Sequence, residues 1–132
     1  MTAYTLPAPD APAEEWGRVA VSLPGWRWMP RMYDGGRRQS VLAVGRAGAI
    51  SAVFPTRPGI RRDRWPDPDD PATEGCLTRL LGPARAARQA LHAKGCHDDA
   101  HRLHIAFMLG KDIGRACIAA AAAIGRWPGG EG

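Results

Sequence analysis

Between residues 16 and 54 apolar and polar positions alternate with period two. Trp26 and Trp28 share one face of a predicted strand, and Arg27 and Met29 share the other. Asp34-Gly35-Gly36 then reads as a tight reversal in which glycine supplies the positive dihedrals. Val41, Leu42, Ala43 and Val44 make a short apolar run and Arg46-Ala47-Gly48 a second turn, after which Ile50, Ala52 and Phe54 alternate with Ser51 and Val53. This pattern predicts a three-stranded antiparallel meander.

The period changes after residue 70. Asp70 is a natural N-cap, Pro71 fits the first helical position, and Glu74 sits at the positive end of the dipole. Cys76, Leu77, Leu80 and Leu81 form the buried stripe of that helix. Gly82-Pro83 ends or kinks it, because proline lacks a donor and restricts the residue before it. Residues 84–94 are again helical and stop at Gly95. Over 101–109, Leu103, Ile105 and Phe107 alternate ahead of Gly110, which predicts a fourth strand. Ile113, Ala116, Cys117, Ala120, Ile124 and Trp127 recur as one helical face, and the alanine run 119–123 lets that helix approach the sheet closely. The expected fold class is therefore α+β: a three-stranded antiparallel meander, a kinked helix, a strand, and a C-terminal Ala-rich helix packed on the sheet.

The chain of 132 residues is long enough for one ordinary domain. Residues 1–15 are rich in Pro, Ala and acid and read as a flexible tail, 16–127 as a single domain, and 128–132 as a flexible C-terminus. No run approaches the roughly 18 to 20 apolar residues that cross a bilayer. Acids and prolines stand where a secretory signal places basic and then apolar residues, so the expected location is the cytoplasm. In that compartment Cys76, Cys96 and Cys117, three in number and so unable all to pair, are expected as free thiols.

A net charge of +5 arises from 18 basic against 13 acidic residues, and every basic residue except Lys94 and Lys111 is arginine. Arginine pairs in a planar fork with phosphate and carboxylate, which suits an acidic partner. The same composition is also what a GC-rich coding sequence gives any protein. Two basic features stand out as candidate binding residues. Arg57, Arg61, Arg62 and Arg64 crowd the central loop beside Trp65, while Arg85, Arg88 and His92 share a stripe of the second helix. Either set can clamp phosphates, with Trp65 stacking a base, or be a solvated face.

Two further clusters offer chemistry. Cys96, His97, His101 and His104 carry donors that zinc prefers, but no paired C-x-x-C accompanies them, and a strand over 101–109 would turn His101 and His104 to opposite faces. Asp67, Asp69 and Asp70 suggest a cation-dependent hydrolase, although a Pro-Asp turn leading into the Asp70 cap explains them as well. No phosphate-binding glycine loop, nucleophile elbow or H-E-x-x-H is found. No catalytic residue, metal or cofactor is expected.

Leu23-Pro24-Gly25-Trp26-Arg27-Trp28-Met29-Pro30 and, further on, Asp69-Asp70-Pro71-Ala72-Thr73-Glu74-Gly75-Cys76-Leu77 resemble a recurring pattern in small, mostly uncharacterised phage and prophage proteins of high-GC bacteria. The likeness covers about residues 23–81 and transfers no catalytic residue. It implies a mobile-element origin. The expected function is a non-enzymatic accessory protein that binds the acidic surface of a host protein or nucleoprotein complex, including a host defence complex in the anti-CRISPR manner. The alternatives are a direct DNA or RNA binder that uses the Arg-rich loop, and a small metal-dependent hydrolase.

Overall fold

Trp16 and Ala20 lie four residues apart and are both buried, and Glu14 and Glu15 stand in the first turn, where carboxylates meet the positive end of the backbone dipole. In the computed structural model they belong to helix α1, Ala13–Ser22. Residues 6–45, 50–54 and 64–130 are described by the structure. After α1 come β1 (Tyr33–Asp34), β2 (Gln39–Val44) and β3 (Ile50–Phe54). Four helices follow: α2 (Pro71–Leu81), α3 (Ala84–Ala93), α4 (His97–Leu109) and α5 (Ile113–Ile124), with a final 3-10 turn at Pro128–Gly130.

The expected α+β architecture is overturned. Among the described residues the chain is mostly helical, with five helices. Its extended part is the antiparallel β2–β3 hairpin, edged by the two-residue β1. The predicted first strand over Trp26 to Met29 does not form. Gly25 at φ 82° and Arg31 at φ 80° turn the backbone on either side of it. The alternation there does bring the indoles together, Trp26 meeting Trp28 edge to face at 5.4 Å and Trp127 at 6.0 Å. Trp26 thereby packs against the C-terminal segment, where the expectation had set it on a sheet face.

The chain reverses between β1 and β2 as expected, with Asp34 paired to Gln39. Its positive φ falls on Arg38, at 53°, and not on the two glycines. Gly35 is needed for another reason, because the Trp65 ring occupies the place where a Cβ would stand. The β2–β3 ladder is irregular around Ala43. The expected turn at Arg46-Ala47-Gly48 lies outside the described residues.

Asp70 caps α2 as expected, its carboxylate accepting from the Thr73 N–H at 3.0 Å, and Gly82 at φ 88° closes the helix before Pro83. The predicted fourth strand over 101–109 is instead the body of α4. Ala100, Leu103 and Ala106 recur every third residue and are buried, and this helical spacing prevails over the alternation of Leu103, Ile105 and Phe107. The last helix also differs from expectation. It packs against α1, α2, α3 and α4, with Ala116, Cys117, Ile118, Ala119, Ala120 and Ala121 buried. Alanine adds little bulk, so four helices approach this axis closely. At Gly114 the Pro68 carbonyl lies where a Cβ would be.

Ala8, Pro9 and Ala11, within the segment expected as a tail, contact the body of the protein. Ala11 is buried, the Ala8 carbonyl accepts from Trp16 Nε1 at 3.2 Å, and Arg115 of α5 donates to the carbonyls of Pro9 and Ala11. Near the other terminus Gly129 lies against the Arg79 and Leu80 carbonyls at the end of α2.

Candidate functional site

α3 buries only Ala87 and Leu91, and α4 buries Ala100, Leu103 and Ala106, so their remaining faces look outward. Lys94, Gly95 and Cys96 join the two helices, Gly95 taking φ 78°. Lys94 Nζ donates to the Ile124 carbonyl at 2.7 Å, a cation on the negative end of α5 that pins the turn to the core.

On the outward face stand Arg85, exposed, and Arg88, half-buried, with exposed His92, His97, His101 and His104. These are all four histidines of the chain. Arg88 Nη1 lies 3.0 Å from His104 Nδ1. A guanidinium only donates, so this nitrogen of His104 accepts. Near the turn His92 Nδ1 and His97 Nδ1 are 2.7 Å apart with ring centroids at 5.0 Å, one nitrogen donating to the other. The helix restores the spacing of His97, His101 and His104 along one side of α4, which a strand would have broken. Yet His97 turns to His92 and His104 to Arg88, while Cys96 is half-buried with its Sγ 3.9 Å from the Lys94 carbonyl. Among the described residues no three His, Cys, Asp or Glu side chains come together as metal ligands.

Arg57, Arg61 and Arg62 lie outside the described residues. Arg64 is paired with Asp34, whose side chain is fully buried. Trp65 packs over Gly17 and Gly35 and so joins α1 to the β1–β2 reversal. Sequence reasoning missed Asp34 as an organising residue, although Asp-Gly-Gly is a signal for an aspartate that bonds backbone groups just ahead of it.

The three carboxylates considered for hydrolysis are each used locally. Asp67 accepts from the Asp69 N–H at 3.0 Å, and Asp70 caps α2. Asp69 takes both Nε and Nη2 of Arg115, at 2.9 and 2.8 Å. That hydrogen-bonded pairing raises the Arg115 pKa further. Burial pushes Asp67 up, as do the neighbouring Asp69 and Asp70 charges, against the backbone hydrogen bond from Asp69. Arg115 carried no signal in the sequence.

The thiols of α2 and α5 are packing groups. Burial raises Cys76, and it pushes Cys117 up to about 12. Such thiols hold their protons and are poor nucleophiles.

Compared with protein-family models, curated proteins and solved structures, the chain matches none of them. Among the described residues no helix is long and apolar enough to cross a membrane.

Proposed function

We propose that this protein is a non-enzymatic binding protein that occupies an acidic surface of a host protein or nucleoprotein complex, as a phage-borne accessory protein directed at host defence would. One observation carries this reading. The outward face of α3 and α4 sets Arg85 and Arg88 beside four histidines, and α3 itself contains no carboxylate, the nearest along the chain being Asp98 and Asp99 in the first turn of α4. Guanidinium groups make paired, charge-assisted contacts with carboxylates and phosphates. Two packed helices present them already ordered, which spares the entropy that a loop loses on binding.

The weight of the proposal therefore moves from the central loop to this hairpin. Arg64 and Trp65 are occupied in the fold, while Arg57, Arg61 and Arg62 stay in the proposal on sequence grounds. The hydrolase alternative gains no support from Asp67, Asp69 and Asp70, each of which has a structural partner.

Immobilised protein incubated with bacterial lysate, run beside DNA and RNA shift assays at rising salt, tests the reading. The wild type is expected to retain a defined protein complex, and the Arg85→Ala/Arg88→Ala variant to lose it at unchanged melting temperature. Truncating a charge that is desolvated and paired in an interface costs about 2 to 5 kcal/mol, against about 1 or less at a solvated rim. Nucleic-acid shifts that weaken steeply with salt, with no protein retained, would replace the reading with direct DNA or RNA binding.

A further inference from the structure

The outward face of α4 extends beyond its histidines. Ile105, Met108 and Leu109 keep 37%, 67% and 70% of their surface exposed, which is unusual for large apolar residues on one helix end. By helical spacing Ile105 and Leu109 stand beside Arg102, on the side of α4 turned away from α3. There a groove of about 250 Å³ opens between α4, Pro9 and the start of α5. Buried Trp16, Ala106 and Ala116 line its depth, and Ile105 and Leu109 line its outer wall.

The charges of this groove are unequal. Arg115 is engaged by Asp69 and by the carbonyls of Pro9 and Ala11, and Asp112 faces Arg115. Arg102 and Lys111 also line the groove, and among the described residues neither side chain has an ion-pair or hydrogen-bond partner. The result is an apolar slot whose rim carries two cations unpaired among the described residues, Arg102 and Lys111, beside the carboxylate of Asp112.

We infer that this groove binds an acidic amphipathic helix of a protein partner, one apolar side chain entering the slot while carboxylates of the same helix pair with Arg102 and Lys111. This assignment rests on the binding reading above and names the partner's recognition element. Apolar contact supplies the affinity, and the rim charges select an acidic helix over a basic one. A second copy of the chain is the wrong occupant, because its net charge is +5 and a symmetric contact sets Arg102 and Lys111 against cationic surface. Nucleic acid fits poorly too, since phosphates leave the Ile105 and Leu109 wall uncovered and that wall has no aromatic face for a base.

The test uses the full chain and three labelled helical peptides: one with glutamates flanking a Leu/Phe stripe, a lysine-for-glutamate counterpart, and a glutamate peptide scrambled to remove the stripe. Anisotropy gives affinities, and NMR shifts of the Ile105 and Leu109 methyls and the Trp16 indole locate the contact. The glutamate-stripe peptide should bind and shift these signals, with both other peptides weaker by about tenfold or more. Leu109→Asp, at an exposed position that leaves folding intact, should weaken it by a similar factor. Arg102→Glu/Lys111→Glu should reverse the preference between the acidic and basic peptides. The assignment fails if the lysine peptide binds equally well, if the glutamate peptide leaves the groove signals unmoved, if neither variant changes affinity, or if the chain sediments as a dimer that Leu109→Asp disperses. Should Arg85→Ala/Arg88→Ala abolish partner capture while Leu109→Asp and Arg102→Glu/Lys111→Glu retain it, the binding reading stands and the groove assignment falls.

Discussion

Arg64 donates from Nη1 to Asp34 Oδ2 across 3.0 Å, and the carboxylate it reaches is fully buried. The other oxygen of Asp34 accepts from the backbone N–H groups of Gly36, Arg37 and Trp65 at 3.0, 3.2 and 3.3 Å. One aspartate therefore holds the β1–β2 reversal and the chain leading into α2 together. Asp34→Ala leaves three donors and a guanidinium without their acceptor and is expected to cost about 3 kcal/mol or more. Arg64→Ala strands the buried carboxylate and should cost a similar amount, about 2 to 3 kcal/mol. Denaturant titration measures both. Arg85→Ala, on the exposed face of α3, should leave stability unchanged.

The N-terminal segment and α5 share a clamp. Arg115 ties Asp69, Pro9 and Ala11 together, and Trp16 Nε1 reaches the Ala8 carbonyl. Removal of residues 1–12 is expected to lower stability by about 2 to 3 kcal/mol, the scale of uncovering one large side chain, and to shift tryptophan emission to the red. Arg115→Ala should cost about 2 kcal/mol, because its hydrogen bonds are charge-assisted. Combined with the truncation it should cost less than the sum, since both remove the same contacts, and calorimetry of the four proteins measures that coupling.

The three thiols should divide by burial. Cys76 and Cys117 are buried and Cys96 is half-exposed, with Cys117 held protonated up to about 12. Titration with a chromogenic disulfide at pH 8 should find one fast thiol in the native protein, lost in Cys96→Ser. All three should react in denaturant. A second fast thiol in the native state would contradict the packing of α2 on α5.

Asp67 gives a pH signature of definite sign. Its folded pKa lies above the ordinary 3.8, so the folded protein holds this proton more tightly than the unfolded chain does. The stabilising contribution is complete below 3.8 and is lost as the pH rises through the raised value. Asp67→Asn keeps an oxygen for the Asp69 N–H and removes the titration. Its melting temperature should exceed that of the wild type at neutral pH, and the gap should close as the pH falls below the ordinary carboxylate range.

Features whose causes lie within a few residues could be read directly from the chain. Asp70, Pro71 and Glu74 mark a helix start through capping, a preset φ and the dipole, and Gly82-Pro83 stops that helix through backbone sterics. The stripe on α5 was equally plain. A strand was expected at 101–109 because large residues two apart outweigh alanine in any apolar pattern, and the same bias hid α1 within the period-two reading of 16–54. In both helices part of the buried face is alanine, Ala20 in α1 and Ala100 and Ala106 in α4. Alanine becomes core only where another helix comes close enough to cover it, as α5 does here.

The binding residues divide along the same line. Arg64 and Arg85 look alike in a sequence, as two arginines in basic stretches. Asp34, 30 positions from Arg64, makes one of them structural, while Arg85 on α3 stays exposed. Arg115 likewise finds Asp69 at a separation of 46 residues. The groove beside α4 is built from residues as far apart as Pro9 and Arg115. Composition could announce a surplus of positive charge, but which cations are neutralised depends on which carboxylates tertiary packing brings to them, as it does Asp34 to Arg64 at 3.0 Å and Asp69 to Arg115 at 2.8 Å, and local rules do not carry that information.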